Sequence, residues 1–284
     1  MLSFLKWALI APAAAYLLII GVVYVFQRHL MYYPGHTVPM PVDVGVPEMD
    51  VLFLPTTDGL VIESWRAQPT SGKPTIVLFH GNAGTLADRA YKARLFIDAG
   101  YGVILAGYRG FGRNDGKPSE QGLYRDARAV FAFLDKEAAE TGDEPKDIIL
   151  YGESLGSGVS VQMAYEFSIQ VNQAKNRIAG VILEAPFTRM VEAAAYHYPW
   201  LPTRVLVWDR FDSIDKISSI GVPLLVVHGR SDRTVPFEQG EKLFSEASEP
   251  KHAVWLDGAG HVNVFDFGAG DHILAWLVDF PAIR

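Results

Sequence analysis

From Thr75 onward the chain repeats one device, a short continuous apolar run followed by a stretch with helical spacing. The runs are Thr75 to Phe79, Val103 to Ala106, Ile148 to Tyr151, Val181 to Leu183, Leu224 to Val227 and Ala253 to Leu256. A strand with one wet face alternates apolar and polar residues, whereas a strand buried on both faces does not. The runs therefore predict strands covered on both sides, with the intervening helices as the cover. Strands alternating with helices predict an α/β fold built on a parallel, doubly wound sheet. Leu123, Ala127, Val130, Phe131 and Leu134 trace one such helix, and Ser119 is placed to cap its start. Earlier, Val51 to Leu54 and Leu60 to Trp65 flank an Asp58-Gly59 turn, which predicts an antiparallel hairpin. Pro34 to Pro47, rich in Pro, Val and Gly, predicts an extended linker.

The first 33 or so residues differ from all of this. Trp7 to Phe26 carries no charge over 20 residues, about the length a helix needs to cross a bilayer's hydrocarbon core. Trp7, Tyr24, Tyr32 and Tyr33 stand near its edges, as interfacial aromatics do. A cleaved signal peptide is the rival reading. The run is longer than a usual signal core, and Val25, Phe26 and Gln27 are too large for a cleavage site. The expectation is an uncleaved, single-pass membrane anchor over residues 1–33, followed by one folded domain over 34–284. The chain as a whole has 49% hydrophobic and 20% charged residues, so its folded part is globular. A net charge of −7 and no basic stripe argue against a nucleic-acid partner. The absence of cysteine excludes disulfides, thiolate nucleophiles and cysteine metal sites.

Gly152-Glu153-Ser154-Leu155-Gly156 has the pattern G-x-S-x-G. Shuffling this composition produces that pattern in roughly one chain in ten, so the text alone decides little. Its context decides more. The pattern directly follows the run Ile148 to Tyr151 and opens a helical stretch with Gly158, Val159 and Met163. A sharp strand-to-helix turn puts its central residue in a strained backbone and demands small neighbours two positions away. The product is a serine hydroxyl exposed above the strand ends, a candidate nucleophile. A carbonyl attacked by Ser154 becomes an oxyanion, which needs two waiting N–H groups. Leu155 supplies one. His80-Gly81-Asn82-Ala83-Gly84, directly after Thr75 to Phe79, is placed to supply the other from Asn82.

A serine hydroxyl also needs a base, and the base needs an orienting acid. On an elbow of this kind the chain order is serine, acid, histidine. Of the eight histidines, three lie well beyond Ser154 near a late strand end: His228, His261 and His272. His261 sits in the glycine-rich loop Gly258-Ala259-Gly260-His261 past a strand end, where a base can hang, and is the choice. His228 ends a strand and His272 lies on the last helix, so both are read as structural. Asp232, in the loop after Leu224 to Val227, is the candidate acid. Asp257 competes but lies four residues from His261 on the same loop, while Asp209, Asp212 and Asp215 precede the strand and fit worse.

HGNAG, YRGFG with GKPSEQGLYRDA, GESLG, HGRSD with TVP, and GAGH occur here in a family's order and approximate spacing. From about Tyr32 onward the chain resembles the α/β-hydrolase-domain proteins that have an N-terminal anchor and a short cap. The resemblance implies an α/β-hydrolase fold and serine-dependent hydrolysis of acyl esters or thioesters, with no metal and no organic cofactor. It also implies that Tyr108 to Gly112 shapes the loop beside the oxyanion site. Gly107 departs from the family, whose members often carry an aspartate there. The family includes esterases, lysophospholipases, thioesterases and peptidases, so a serine peptidase or amidase is one alternative. A non-catalytic binding protein on the same fold is another.

Phe187 to Phe211 is dense in apolar and aromatic residues, among them Met190, Tyr196, Tyr198, Trp200, Leu206 and Trp208. It reads equally as a short cap walling an acyl pocket and as a crossover helix packed in the core. With the anchor, it points to an acyl or lipid-like ester held at a membrane.

Overall fold

The computed structural model describes residues 2–37, 39–70, 72–141, 147–169 and 178–279. Eight strands form one sheet: β1 (Asp50–Pro55), β2 (Val61–Ala67), β3 (Thr75–Phe79), β4 (Gly102–Ala106), β5 (Ile148–Glu153), β6 (Ile178–Glu184), β7 (Leu224–Gly229) and β8 (Lys251–Leu256). Their order across the sheet is β8-β7-β6-β5-β3-β4-β2-β1. All neighbours from β4 to β8 pair in parallel, and the β1–β2 hairpin adds two antiparallel edge strands beside β4.

The continuous apolar runs arise from burial on both faces. Val77 and Phe79 of β3 belong to one core, together with Ile104 of β4, Leu150 of β5, Leu183 of β6 and Val226 of β7. Their chain neighbours Ile76, Leu78, Val103, Ile149, Ile182 and Leu225 belong to the other. The first face is covered by α3 (Glu120–Thr141) and α4 (Leu155–Ile169), the second by α2 (Ala90–Asp98) and α7 (Ala269–Val278). The start of α3 is capped by Ser119, whose Oγ accepts the Gly122 N–H at 3.2 Å.

Gly107, at the end of β4, meets the hairpin edge closely. A Cβ there would stand 1.9 Å from the Glu63 carbonyl oxygen, so an aspartate at this position has no room. Asn114 fills the neighbouring space, accepting the Glu63 N–H at 2.6 Å and donating to the Glu63 carbonyl at 3.2 Å.

The expected linker takes a different form. Helix α1 (Leu2–Met31) is followed after one residue by a two-residue strand, Tyr33–Pro34, which pairs in parallel with Ala83–Gly84. A 3-10 turn over Pro41–Val44 follows, and Val46 and Met49 are buried in the second core. Composition alone reads as a free spacer because the core that receives Val46 and Met49 is built by residues far along the chain. Helix α1 itself has the length and hydropathy to cross a membrane over Ile10–Met31, and only 6% of that window is buried within the protein.

Introducing a side chain at position 107 is expected to force β2 and β4 apart. Gly107→Asp should lower the unfolding free energy by about 2 kcal/mol or more, read as a shift in denaturation midpoint. A change below about 0.5 kcal/mol would mean that the hairpin yields freely.

Candidate active site

Ser154 stands between β5 and α4 with φ at +49°, in the left-handed region that side chains avoid. The surroundings compel that conformation. A Cβ on Gly156 would lie 1.9 Å from the Phe79 carbonyl oxygen, and one on Gly152 would lie 2.6 Å from the Gly156 carbonyl oxygen. Both glycines let α4 descend directly onto the ends of β3 and β5. The Ser154 N–H donates to the Glu184 carbonyl at 2.8 Å, pinning the turn to β6.

The loops after β7 and β8 meet above this turn. His261 Nδ1 lies 2.7 Å from Asp232 Oδ2, and His261 Nε2 lies 3.0 Å from Ser154 Oγ. A carboxylate accepts only, so the proton is on Nδ1 and the Nε2 lone pair faces the hydroxyl. Asp232 Oδ1 accepts the Thr234 and Val235 N–H groups at 2.8 and 2.9 Å. His228, at the end of β7, donates from Nε2 to Asp232 Oδ2 and to the Val235 carbonyl, both at 3.1 Å. Burial opposes the charge on Asp232. The hydrogen bonds from His228 and His261 outweigh it and hold the carboxyl well below the usual carboxylate range. Gly240 makes room for the His228 ring, since a Cβ there would stand 2.1 Å from Nδ1.

The other histidine and carboxylates lie elsewhere. Asp257 is exposed and pairs with Arg230 at 3.0 Å. Asp209 pairs with Arg28, and Asp212 and Asp215 pair with Arg189. His272 is exposed on α7.

Asn82 lies three residues past the end of β3. Its side chain donates to the Met31 carbonyl at 2.8 Å, and its own carbonyl accepts the Tyr33 N–H at 2.8 Å. Leu155 is the first residue of α4, so its N–H has no partner within that helix. Ser154, Leu155 and Asn82 together line a cavity of about 320 Å³. The wall of that cavity is apolar for the most part. Phe187, Met190, Ala193 and Leu201 contribute from the Phe187 to Phe211 segment, whose helices are α5 (Met190–His197) and α6 (Thr203–Leu206). Phe187 and Phe211 of the same segment belong to the first core, so the segment both lines the cavity and packs inside the domain. Val23, Gln27 and Leu30 of α1 complete the wall.

Beneath the elbow lies an ionic cluster. Lys92 on α2 is buried and donates to Glu153 at 2.6 Å and Glu184 at 2.7 Å, while Arg89 also pairs with Glu153 and Tyr151 donates to Glu184. Burial disfavours the charge on Glu153, but Lys92 and Arg89 overcome it and hold the carboxyl far below its usual range. Among the described residues no cluster of His, Asp or Glu has the arrangement of a metal site.

Residues 70–211 match the family model described as serine aminopeptidase, S33. An uncharacterized protein of Mycobacterium tuberculosis (strain ATCC 25618 / H37Rv) is 39% identical over 238 residues, covering 83% of this chain and 80% of that one. Alpha/beta hydrolase domain-containing protein 17B of Homo sapiens is 32% identical over 207 residues, covering 72% of this chain and 65% of that protein. The fold matches an esterase of Pyrococcus furiosus with a TM-score of 0.69 at 20% identity, over 87% of this chain and 99% of that one. The chain belongs to the α/β-hydrolase superfamily, in the serine aminopeptidase S33 family. It is a hydrolase of the α/β fold, with a mostly parallel sheet and an apolar N-terminal helix.

Three features escaped the sequence reading. The role of His228 as a second donor to Asp232 was legible only as a histidine at a strand end. Lys92 announced itself faintly, as a lysine beside Ala93 and four residues before Phe96 on a buried helix face. The part of α1 in the cavity wall had no local signal.

His80, behind the Asn82 loop, provides a pH-dependent term. It is buried, its Nδ1 donates to the Gly81 carbonyl at 2.8 Å, and its ring packs against Tyr108 and Phe111. Burial, then the nearby Arg89, pushes its pKa down to about 3. The unfolded chain takes up this proton below about pH 6.5 and the folded one does not. Stability is therefore full above that value and falls as the pH drops toward 3, by about 1.4 kcal/mol per unit for this group. His80→Gln is expected to flatten the fall between about pH 6 and pH 4, measured by urea unfolding at each pH. An unchanged slope would mean that His80 is charged in the folded protein.

Proposed function

We propose that this chain is a serine hydrolase that cleaves carboxylic esters or thioesters of acyl or lipid-like substrates at a membrane. The reading rests above all on the hydrogen-bonded series Asp232–His261–Ser154, whose serine lines a mostly apolar cavity. In it, Ser154 Oγ attacks the acyl carbonyl as its proton passes to His261 Nε2. The new oxyanion is met by the Asn82 and Leu155 N–H groups. Asp232 holds the tautomer that leaves Nε2 free and stabilises the imidazolium. His228 and the Thr234 and Val235 N–H groups keep Asp232 ionised and fixed in turn. The tetrahedral adduct collapses as the leaving oxygen or sulfur takes the proton from Nε2, which leaves an acyl group on Ser154. Water then gives its proton to Nε2 and attacks the acyl carbon, and the proton returns to Oγ as the acid departs. No step calls on a metal or organic cofactor.

The family's description as serine aminopeptidase favours a second reading, hydrolysis of an amide next to a free amine. Such a substrate wants a carboxylate beside its ammonium group. The described residues lining the cavity offer Gln27, Asn82, Thr203 and Thr234 but no Asp or Glu. An uncharged acyl group fits that lining better.

The proposed organisation is an anchor over residues 1–33 and a catalytic domain over 34–284, joined without a free spacer. The full-length protein is expected to stay in the membrane fraction through high-salt and alkaline carbonate washes. Recovery in the supernatant, or a mature N-terminus beyond Phe26, would remove the anchor from the account.

Ser154→Ala should abolish hydrolysis of p-nitrophenyl esters while leaving the fold intact by circular dichroism. Asp232→Asn should lower kcat by about 10³-fold to 10⁴-fold, because the imidazole loses its orientation and charge partner. Asp257→Asn should stay within about twofold, as exposed ion pairs carry little. Full activity in Ser154→Ala would put the nucleophile elsewhere, no hydrolysis by the unaltered protein would leave a binding protein on a hydrolase fold, and faster cleavage of aminoacyl anilides than of esters would favour the peptidase.

A further inference from the structure

The cavity above Ser154 is not closed by the folded domain alone. Val23, Gln27, Leu30 and Met31 of α1 line it. These positions are spaced four, three and one residues apart, which puts them on one face of the helix. Gln27 fixes that face to the segment opposite. Its Nε2 donates to the Leu206 carbonyl at 3.0 Å and its Oε1 accepts the Trp208 N–H at 2.8 Å. Next to it, Arg28 pairs with Asp209 at 2.8 Å, and Tyr32 donates to the same carboxylate at 3.1 Å. Higher on α1, Tyr24 packs edge-on against Trp208 with ring centroids 4.9 Å apart, and the Tyr16 hydroxyl donates to the Trp200 carbonyl at 2.7 Å.

These contacts locate the cap relative to the bilayer. Tyr16 and Arg28 are twelve residues apart on one helix, a rise of about 18 Å. Both fall within the span Ile10–Met31. If α1 crosses the membrane over this span, Tyr16 stands about 22 Å from Met31, so the cap tip that touches it reaches past the midplane of a core about 30 Å thick. Its outer surface suits that position, since Tyr198, Trp200, Trp208 and Val205 are all exposed, Val205 at 81%. Lipid would cover the side chains that water now faces.

We propose that α1 is a working wall of the substrate site, and that the acyl chain enters sideways from the leaflet, between α1 and the cap. The inference rests on the hydrolase reading and adds to it where the chain lies. A chain entering from water would forfeit about fourfold in partitioning for each methylene exposed on the way. A mouth bounded by Val23 and Leu30 avoids that loss. The same helix end steadies the oxyanion loop, because the Met31 carbonyl and the Tyr33 N–H hold Asn82 from two sides. Anchor and active site are then one unit, and the helix selects the substrate as well as locating the enzyme.

The test uses the full chain in phosphatidylcholine vesicles and a long-chain alkyl fluorophosphonate with a diazirine midway along its chain. Ser154 Oγ displaces fluoride from phosphorus, His261 taking the proton. Irradiation then releases nitrogen, and the carbene inserts into whatever the chain touches. Peptide mass spectrometry should find cross-links to α1 between Val23 and Met31 as well as to α5. Label on Ser154 with cross-links confined to α5 and α6 would overturn the inference while leaving the hydrolase reading intact. Failure to label Ser154 would remove that reading and this inference with it. A kinetic arm reads the same wall. Val23→Trp should lower kcat/KM on a long-chain ester relative to a butyrate ester by about 15-fold, equal to two methylene contacts. Val25→Trp, on an exposed position outside the cavity, should leave that ratio unchanged. Equal ratios in both variants would contradict the proposal.

Discussion

Everything at the site depends on how closely α4 approaches the ends of β3 and β5. With no side chain on Gly152 or Gly156, the helix begins almost on top of the Phe79 carbonyl, and Ser154 is forced to φ +49° at the crossing. Such a conformation costs about 1–3 kcal/mol and persists only where the surroundings over-determine it. They do so here through the Ser154 N–H bond to Glu184 and through the buried charges of Lys92, Arg89 and Glu153 just below. Glu153 is thus more than a spacer in the motif. It ties the elbow to α2, while Glu184 ties α2 to the neighbouring strand.

Around that fixed point the loops at the carboxyl ends of β3, β7 and β8 need only reach inward. This is the crevice where parallel sheets put their ligands. Asp232 is the second organiser, because it takes four donors: two imidazoles and two backbone N–H groups. A buried carboxylate with that many donors stays charged and still, which gives the imidazole of His261 a single orientation.

Most of the sheet was legible from the chain, since period and burial write themselves into local sequence. Thr75 to Phe79 begins and ends as read, and Ile148 to Tyr151 extends only through Gly152 and Glu153 into the elbow. The β1–β2 hairpin likewise followed from Asp58-Gly59. Candidate residues on loops past strand ends were legible for the same reason, as position and residue type coincide there. What stayed hidden was set by distant partners. Pro34 to Pro47 read as spacer because the pocket for Val46 and Met49 is made elsewhere. The choice of Gly107 made sense only beside the Glu63 carbonyl, 44 positions earlier in the chain. Helix α1 declared its hydropathy but not that Gln27 would bond to Leu206 and Trp208, about 180 residues later.

The central claim is that turnover passes through an acyl group on Ser154. It is tested most directly by quenching the enzyme in acid during steady turnover of a p-nitrophenyl acyl ester and weighing its peptides. The account predicts a mass increase of one acyl group on the peptide that contains Ser154, absent when substrate is omitted. Continued turnover with that peptide unmodified, or with the acyl group on another residue, would contradict it.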